Sequence, residues 1–172
     1  MAWTPRIKVP DLTGVVDNLL GYIRDNQADA HEWANGSPMK DYAALYPNAA
    51  GRLTTKFPQL LVIDQEHKGE EGKSDDGELL VIRLALTFEG AVTGNNADTL
   101  VNTAKAYGMA LESMLVNIPG ATLCAGMTNT THGVCMTYQT VYDVLKGTGK
   151  TGSTWLQIWQ TQVEYELTGE AL

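Results

Sequence analysis

Hydrophobic and polar residues alternate with the period of a β-strand in two long stretches of this sequence. Every second residue from 80 to 88 is apolar, and successive side chains of a strand point to opposite faces, so a strand is predicted over residues 78–90. Its core face consists of Leu80, Ile82, Leu84, Leu86 and Phe88. Residues 155–167 show the same period, with Trp155, Trp159, Val163, Tyr165 and Leu167 on one side. Two further strands are predicted at residues 59–64 and 134–145.

Two other stretches repeat their apolar residues with the period of a helix. Residues 12–25 form the first predicted helix, with Asp11 as its N-cap and with Leu12, Val15, Val16, Leu19, Leu20 and Ile23 on one face. The second is predicted to begin after Asn96 or Asp98 and to end near residue 117, before Pro119 and Gly120. Its apolar face consists of Leu100, Ala104, Gly108, Leu111, Leu115 and Ile118.

Residues 27–56 follow neither period and are predicted to be irregular, apart from one or two helical turns at residues 41–46. Long irregular segments in compact domains often cover a surface or contact a partner. The sequence leaves open whether this segment binds a partner or only packs over the edge of the sheet.

A charged, glycine-containing segment separates the strands at 59–64 and 78–90. Its ionisable residues are Glu66, His67, Lys68, Glu70, Glu71, Lys73, Asp75, Asp76 and Glu78. The segment is too polar for a core and too long for a tight hairpin turn, so we interpret it as a projecting β-arm that contacts a partner. Repulsion among its carboxylates would keep the arm extended until a partner supplies lysine or arginine. Its acidic residues lack the order of a calcium-binding loop.

The order of these elements predicts the fold class. Helix, strand, arm, strand, helix, strand and strand follow one another within a single domain over residues 1–172. We therefore expect an α+β fold, in which a mostly antiparallel sheet is packed by two main helices and carries the projecting charged arm.

Composition and charge narrow the classes of function. The 172 residues are 44% hydrophobic and 19% charged, as in globular domains, and no apolar run has the roughly 20 residues that a membrane helix needs. The first residues lack the apolar stretch of a signal peptide, so we expect a cytoplasmic origin. The net charge of −8 argues against a surface that grips nucleic acid, whereas DNA would pass an acidic surface without adhering.

No motif for catalysis, a metal or a cofactor is strong. Cys124 and Cys135 are separated by ten residues with His132 between them, which is not a zinc spacing, and we interpret both as reduced thiols. Gly149, Lys150 and Thr151 match the end of a phosphate-binding loop, but Val144 stands where its first glycine belongs. We therefore interpret residues 147–153 as a hairpin loop, and expect no cofactor, no metal and no enzymatic activity.

Several segments together resemble the tail terminator proteins of long-tailed bacteriophages. They are the run Lys56-Phe57-Pro58-Gln59-Leu60-Leu61-Val62-Ile63, the alternating strand at 79–88, the helix at 98–117 and the closing Val163-Glu164-Tyr165-Glu166-Leu167. The resemblance is one of element order and covers residues 12–167. It implies a virion protein that forms a hexameric ring on the tail tube, ends tube polymerisation and presents a surface to the head connector.

The resemblance also implies the partners. They would be further copies of the chain, the tail tube protein and the head connector or head-stopper protein, while DNA would pass through the ring without specific binding and no membrane would be involved. The arm would contact the tube or a neighbouring subunit. Three alternatives stay open: another neck or tail component, a soluble binding module, and an enzyme with a site near Cys135 and His132 or near Lys150.

Overall fold

The computed structural model describes residues 2–4, 9–53, 56–74, 77–124, 140–149 and 152–169. In chain order they form helix α1 (Val15–Asn35), strand β1 (Ala44–Tyr46), a 3-10 helix (Ala49–Leu53), strands β2 (Gln59–Ser74) and β3 (Gly77–Gly94), helices α2 (Ala97–Asn117) and α3 (Gly120–Leu123), and strands β4 (Thr140–Gly149) and β5 (Gly152–Gly169). None of the helices in these ranges combines the length and the hydropathy needed to span a bilayer.

The described strands form one five-stranded sheet in the order β1-β2-β3-β5-β4. β1 runs parallel to β2, and every other neighbouring pair is antiparallel. The sheet is therefore mostly antiparallel, and it carries two long helices. The predicted α+β class is confirmed.

Helices α1 and α2 lie antiparallel over one face of the sheet. Near the start of α1, the Tyr22 hydroxyl donates to the Asn117 carbonyl at the end of α2, while farther along α1 the His31 ring contacts Tyr107. The fully buried strand residues on this face include Leu84, Leu86, Phe88, Trp159, Val163, Tyr165 and Leu167. Burial of each large side chain contributes about 1.5–3 kcal/mol to stability. The core faces predicted for both long strands are confirmed.

Helix α2 follows its prediction closely. The Asn96 side chain accepts hydrogen bonds from the backbone N–H groups of Asp98 and Thr99, which identifies it as the N-cap. All six residues of the predicted apolar face are buried.

The predicted start of the first helix is wrong by three residues. α1 begins at Val15 after Gly14, which makes no side-chain cap. Asp11 instead accepts hydrogen bonds from the backbone N–H and the hydroxyl of Thr13.

The predicted end of this helix is also wrong, because α1 continues to Asn35. Gln27 and His31 continue the buried stripe of Ile23 at intervals of four residues, so polar residues hold core positions and conceal the period. The helix ends at Gly36, which has a φ of 73° and donates its N–H to the carbonyl of Glu32.

The rest of the segment predicted as irregular contains two more elements. Residues 44–46 form β1 rather than a helical turn, because they pair with residues 59–61 of β2. The 3-10 helix then packs on Leu61, and Gly51 is required there because a Cβ would overlap the side chains of Leu61 and Tyr46.

The charged segment 66–78, predicted as a projecting arm, belongs to the strand hairpin of β2 and β3. β2 continues to Ser74 and β3 begins at Gly77, with residues paired one to one from Asp64 opposite Thr87 to the end of β2. Since β3 pairs with β5 only from Leu80 onward, most of the predicted arm lies within the sheet, and only the end of the hairpin extends past that pairing. Asp75 and Asp76 lie outside the described residues.

The predicted hairpin loop 147–153 is also largely strand. β4 reaches Gly149 and β5 begins at Gly152, and within this segment Thr148 pairs with Ser153 and Gly149 with Gly152. Lys150 and Thr151 lie outside the described residues. The strand predicted at 134–145 corresponds to β4 from Thr140 onward, and its first six residues lie outside the described ranges.

Candidate assembly surface

Strand β2 has an open edge along most of its length. β1 pairs only with residues 59–61, and from Val62 to Ser74 the described residues pair β2 on one side alone, with β3. At about 3.4 Å per residue, this open edge is roughly 40 Å long. Backbone N–H and C=O groups along it are available to a further strand.

The predicted arm residues divide between the two faces of the sheet. Opposed residues of an antiparallel pair lie on the same face, so Glu66, Lys68 and Glu70 lie on the face away from the helices, opposite Ala85, Arg83 and Val81. His67 and Glu71 lie on the helix side, opposite Leu84 and Leu80. All five side chains are exposed. On the helix side, His67 and Glu71 are uncovered because α2 lies over β3, β5 and β4 and does not reach this edge.

The remaining predicted arm residues are at the end of the hairpin. Lys73 and Glu78 are register partners across the β2–β3 pairing, and Asp75 and Asp76 lie outside the described residues. The structure thus brings Glu66, Lys68 and Glu70 together on one face and separates them from His67 and Glu71.

The face of the sheet away from the helices is polar and mainly acidic beside this edge. Its charged residues on β2, β3 and β5 are Asp64, Glu66, Lys68, Glu70, Arg83, Glu164 and Glu166. Among the described residues, Glu66 forms a loose ion pair with Lys68 on this face and Arg83 forms one with Glu166, each with a nitrogen–oxygen distance of 3.9 Å. Such exposed pairs contribute about 0–1 kcal/mol, so they leave the carboxylates free to bind other cations.

At the other end of β2, near Leu61, the same face of the sheet is covered. The 3-10 helix covers Leu61, and Leu61 and Ala91 are buried there. Glu89, also buried, accepts a hydrogen bond from Gln160 at 3.2 Å. The uncovered area therefore begins near Thr87 and extends toward the end of the hairpin.

A buried aromatic cluster, which we define as His31, Tyr42, Tyr107 and Trp159, joins the helices to the sheet. The His31 ring meets Tyr42 and Tyr107 edge to face at centroid distances of 5.3 and 4.8 Å, and Tyr107 stacks on Trp159 at 5.8 Å. His31 is fully buried, and neither ring nitrogen has a hydrogen-bond partner among the described residues. This cluster was not predicted from the sequence, because polar Gln27 and His31 conceal the helical period that they continue from Ile23.

Burial shifts the ionisation of this cluster toward the neutral forms. It lowers the pKa of His31, and the negative charge of nearby Asp41 opposes this effect. Burial also raises the pKa of Tyr42 and, together with Asp41, raises that of Tyr107 to about 12. The Tyr107 hydroxyl donates to the carbonyl of Lys40, and the Tyr42 backbone N–H donates to Gln27 Oε1 at 2.8 Å.

A cleft of about 340 Å³ opens beside Tyr107. It is lined by Met39, Lys40, Phe57, Pro58, Val92, Thr93, Thr103 and Tyr107. The peptide bond between Phe57 and Pro58 is cis. The lining combines apolar side chains with two hydroxyl-bearing threonines and one cation, which suits a small amphipathic group.

Most of the residues that the sequence singled out for other chemistry lie outside the described ranges. Cys124 is buried, and its S–H donates to the Asp11 carbonyl at 3.3 Å. His132, Cys135 and Lys150 lie outside the described residues. Within the described ranges, no three His, Cys, Asp or Glu residues converge as a metal ion would require.

Comparison with known proteins adds no family to this geometry: no protein-family model and no curated protein matches the chain.

Proposed function

We propose that this chain is a structural subunit of a bacteriophage tail. It forms a ring at the head-proximal end of the tail tube, ends tube polymerisation and joins the tail to the head connector. The proposal rests on the resemblance in element order to tail terminator proteins, and the geometry of β2 supports it.

The observation that carries the proposal is the long open edge of β2 beside an uncovered acidic face. An open strand edge about 40 Å long can pair nonspecifically with other chains in solution. Proteins normally shorten such edges, cover them or place charged residues on them. The charged residues on this edge are Asp64, Glu66, Lys68, Glu70 and Glu71. A neighbouring subunit that covers the edge, in the same way on every copy, would make a head-to-tail contact of the kind that closes into rings.

The acidic face suits the inside of such a ring. DNA phosphates are repelled by carboxylates, so DNA could move past Glu66, Glu164 and Glu166 without adhering. Arg83 is the one cation of β3 on this face, and Glu166 lies beside it at 3.9 Å. We therefore assign this face to the lumen of the proposed ring.

A tube-capping experiment tests the proposal. The purified chain is added to tail tube protein from the same phage while the tube polymerises, and the tubes are viewed by electron microscopy. We expect shorter tubes with an added ring at one end. Tubes of unchanged length with bare ends would contradict the proposal.

The cleft beside Tyr107 favours a second candidate, a soluble binding module. Its volume and mixed lining would accept a small amphipathic ligand, with Lys40 as the cation at its rim. This candidate predicts a stable monomer and perturbed signals of Thr103 and Tyr107 in nuclear magnetic resonance spectra when a ligand library is added. If no ligand of a broad library perturbed these signals, the binding-module candidate would be contradicted.

A further inference from the structure

We propose that the open edge of β2 binds residues 3–10 of a second copy of this chain as an added β-strand. This inference rests on the proposed self-assembly and deepens it, because it identifies the contact between neighbouring subunits. The occupant is a short segment whose sequence contains two cations, and the acceptor is the stretch of β2 around Asp64 and Glu66.

The acceptor has the properties of a strand-binding edge. From Asp64 to Glu71 every residue of β2 is exposed, and the described residues pair this stretch only with β3. Added strands gain affinity from backbone hydrogen bonds and specificity from alternate side chains. At this edge the alternate side chains away from the helices begin with two carboxylates, Asp64 and Glu66.

Residues 3–10 match this edge in two respects: their charges are opposite to those of the edge, and the charged residues recur at the same spacing. Arg6 and Lys8 are two positions apart, as are Asp64 and Glu66, and Ile7 and Val9 alternate with the cations. A strand with this sequence would place both cations on one face and both apolar side chains on the other. Cross-strand pairs of opposite charge each contribute about 0.2–1 kcal/mol to strand pairing.

In the single chain the described residues near both ends of this segment are uncovered. Trp3 is 85% exposed and Val9 is 59% exposed, so neither side chain is packed on its own domain. A large exposed aromatic residue next to two cations is typical of a segment that is buried by a partner. The acceptor is therefore the edge of a second copy, rather than the chain's own edge.

The segment leaves the domain at a suitable place. The carbonyl of Asp11 accepts a hydrogen bond from Cys124, which follows the end of α2 and α3. That end of α2 contacts the sheet through the Tyr165 hydroxyl, which donates to the Leu115 carbonyl. In the sheet, Tyr165 of β5 is paired with Leu84 of β3. Leu84 is opposite His67, in the middle of the open edge, so the segment starts from the end of the domain where the edge lies.

Charge reversal and its rescue test the contact. The oligomeric mass of the full chain is measured by native mass spectrometry over a concentration series for four proteins: the wild type, Arg6→Glu with Lys8→Glu, Asp64→Lys with Glu66→Lys, and the fourfold variant. We expect each double variant to weaken association by about tenfold or more, equivalent to about 1.4 kcal/mol per tenfold. The fourfold variant restores opposite charges across the contact and should recover most of the wild-type association.

A matched control separates the contact from general charge effects. Arg24→Glu with Lys105→Glu, and Asp25→Lys with Asp29→Lys, make the same changes of charge at exposed positions on the helices. They should leave association within about threefold of the wild type, less than about 0.7 kcal/mol. Circular dichroism confirms that each variant is folded.

The outcomes distinguish this contact from the ring itself. If the wild type assembles and the double variants assemble equally well, or the fourfold variant does not recover, the strand contact is overturned while self-assembly stands. If the wild type stays monomeric with and without tail tube protein, both proposals are overturned. Hydrogen exchange gives a second measurement: backbone amides of residues 62–71 should exchange more slowly in the assembly than in the monomer, and unchanged exchange would overturn the added strand.

Discussion

Trp159 lies directly opposite Gly90 in the β3–β5 pairing, and its indole ring occupies the space where a Cβ of residue 90 would stand. The ring is fully buried and stacks on Tyr107, so it cannot move aside at low cost. Gly90→Ala should therefore lower the free energy of unfolding by about 1–3 kcal/mol through overpacking. Urea denaturation followed by tryptophan fluorescence measures this.

Gly21→Ala is the matched control. Nothing lies within 4 Å of a Cβ at position 21, which is inside α1. Alanine has the higher helix propensity, so this variant should gain about 0.5–1 kcal/mol. A Gly90→Ala variant as stable as the wild type would show that the sheet and the indole can separate, contrary to the packing described above.

The buried imidazole of His31 predicts a loss of stability at mildly acidic pH. Its pKa in the folded state is below the ordinary value of 6.5, so the unfolded chain takes up a proton first as the pH falls. Stability is therefore complete above pH 6.5 and is lost between pH 6.5 and the lower folded-state pKa. Each unit of separation between the two pKa values costs about 1.4 kcal/mol.

His31→Phe isolates this contribution. Phenylalanine keeps an aromatic ring against Tyr42 and Tyr107 but cannot be protonated. The free energy of unfolding is measured for both proteins at pH 7.5, 6.0 and 5.0, a range chosen to span roughly the ordinary pKa of histidine. The wild type should lose more stability than the variant over this range. Parallel losses would show that His31 does not cause the pH dependence.

The hydrogen bond of the buried Tyr165 hydroxyl predicts a loss of stability when the hydroxyl is removed. It donates to the Leu115 carbonyl at 2.8 Å in the interior, and it ties β5 to α2. Tyr165→Phe leaves that carbonyl without this donor and should cost about 1–2 kcal/mol. Tyr22→Phe removes a comparable bond, 3.3 Å long and exposed to solvent, and should cost less than about 0.5 kcal/mol. Equal losses for the two variants would contradict the difference in burial.

The N-cap of α2 leads to a further prediction about stability. Asn96 Oδ1 accepts from the N–H groups of Asp98 and Thr99 at 3.0 and 3.2 Å. Asn96→Ala should lower the free energy of unfolding by about 1 kcal/mol, whereas Asn96→Asp keeps an acceptor and should be nearly neutral. If alanine and aspartate proved equally stable, the cap would not stabilise the helix.

The elements that could be predicted from sequence are those in which one face is buried along the whole length. α2 has a capping side chain, a periodic apolar face and a proline after its end, and its predicted span agrees with the structure. The core side of β3 was predictable for the same reason, because Ile82, Leu84, Leu86 and Phe88 are all buried in strict alternation.

The elements that were missed depend on partners distant in sequence. The second half of α1 has Gln27 and His31 in its core positions, and their burial depends on Tyr42 and Tyr107. β2 beyond Asp64 has no apolar period, because the helices do not cover that edge. Its pairing with β3 makes it a strand, and this pairing is a tertiary contact rather than a local preference.

The mass of the purified chain in solution is the most direct test of the proposed ring. Light scattering is recorded over a wide concentration range, alone and with tail tube protein. We expect a closed oligomer, which the resemblance to tail terminators indicates to be a hexamer, or a monomer that forms this ring on the tube. A monomer at every concentration that ignores the tube would contradict it.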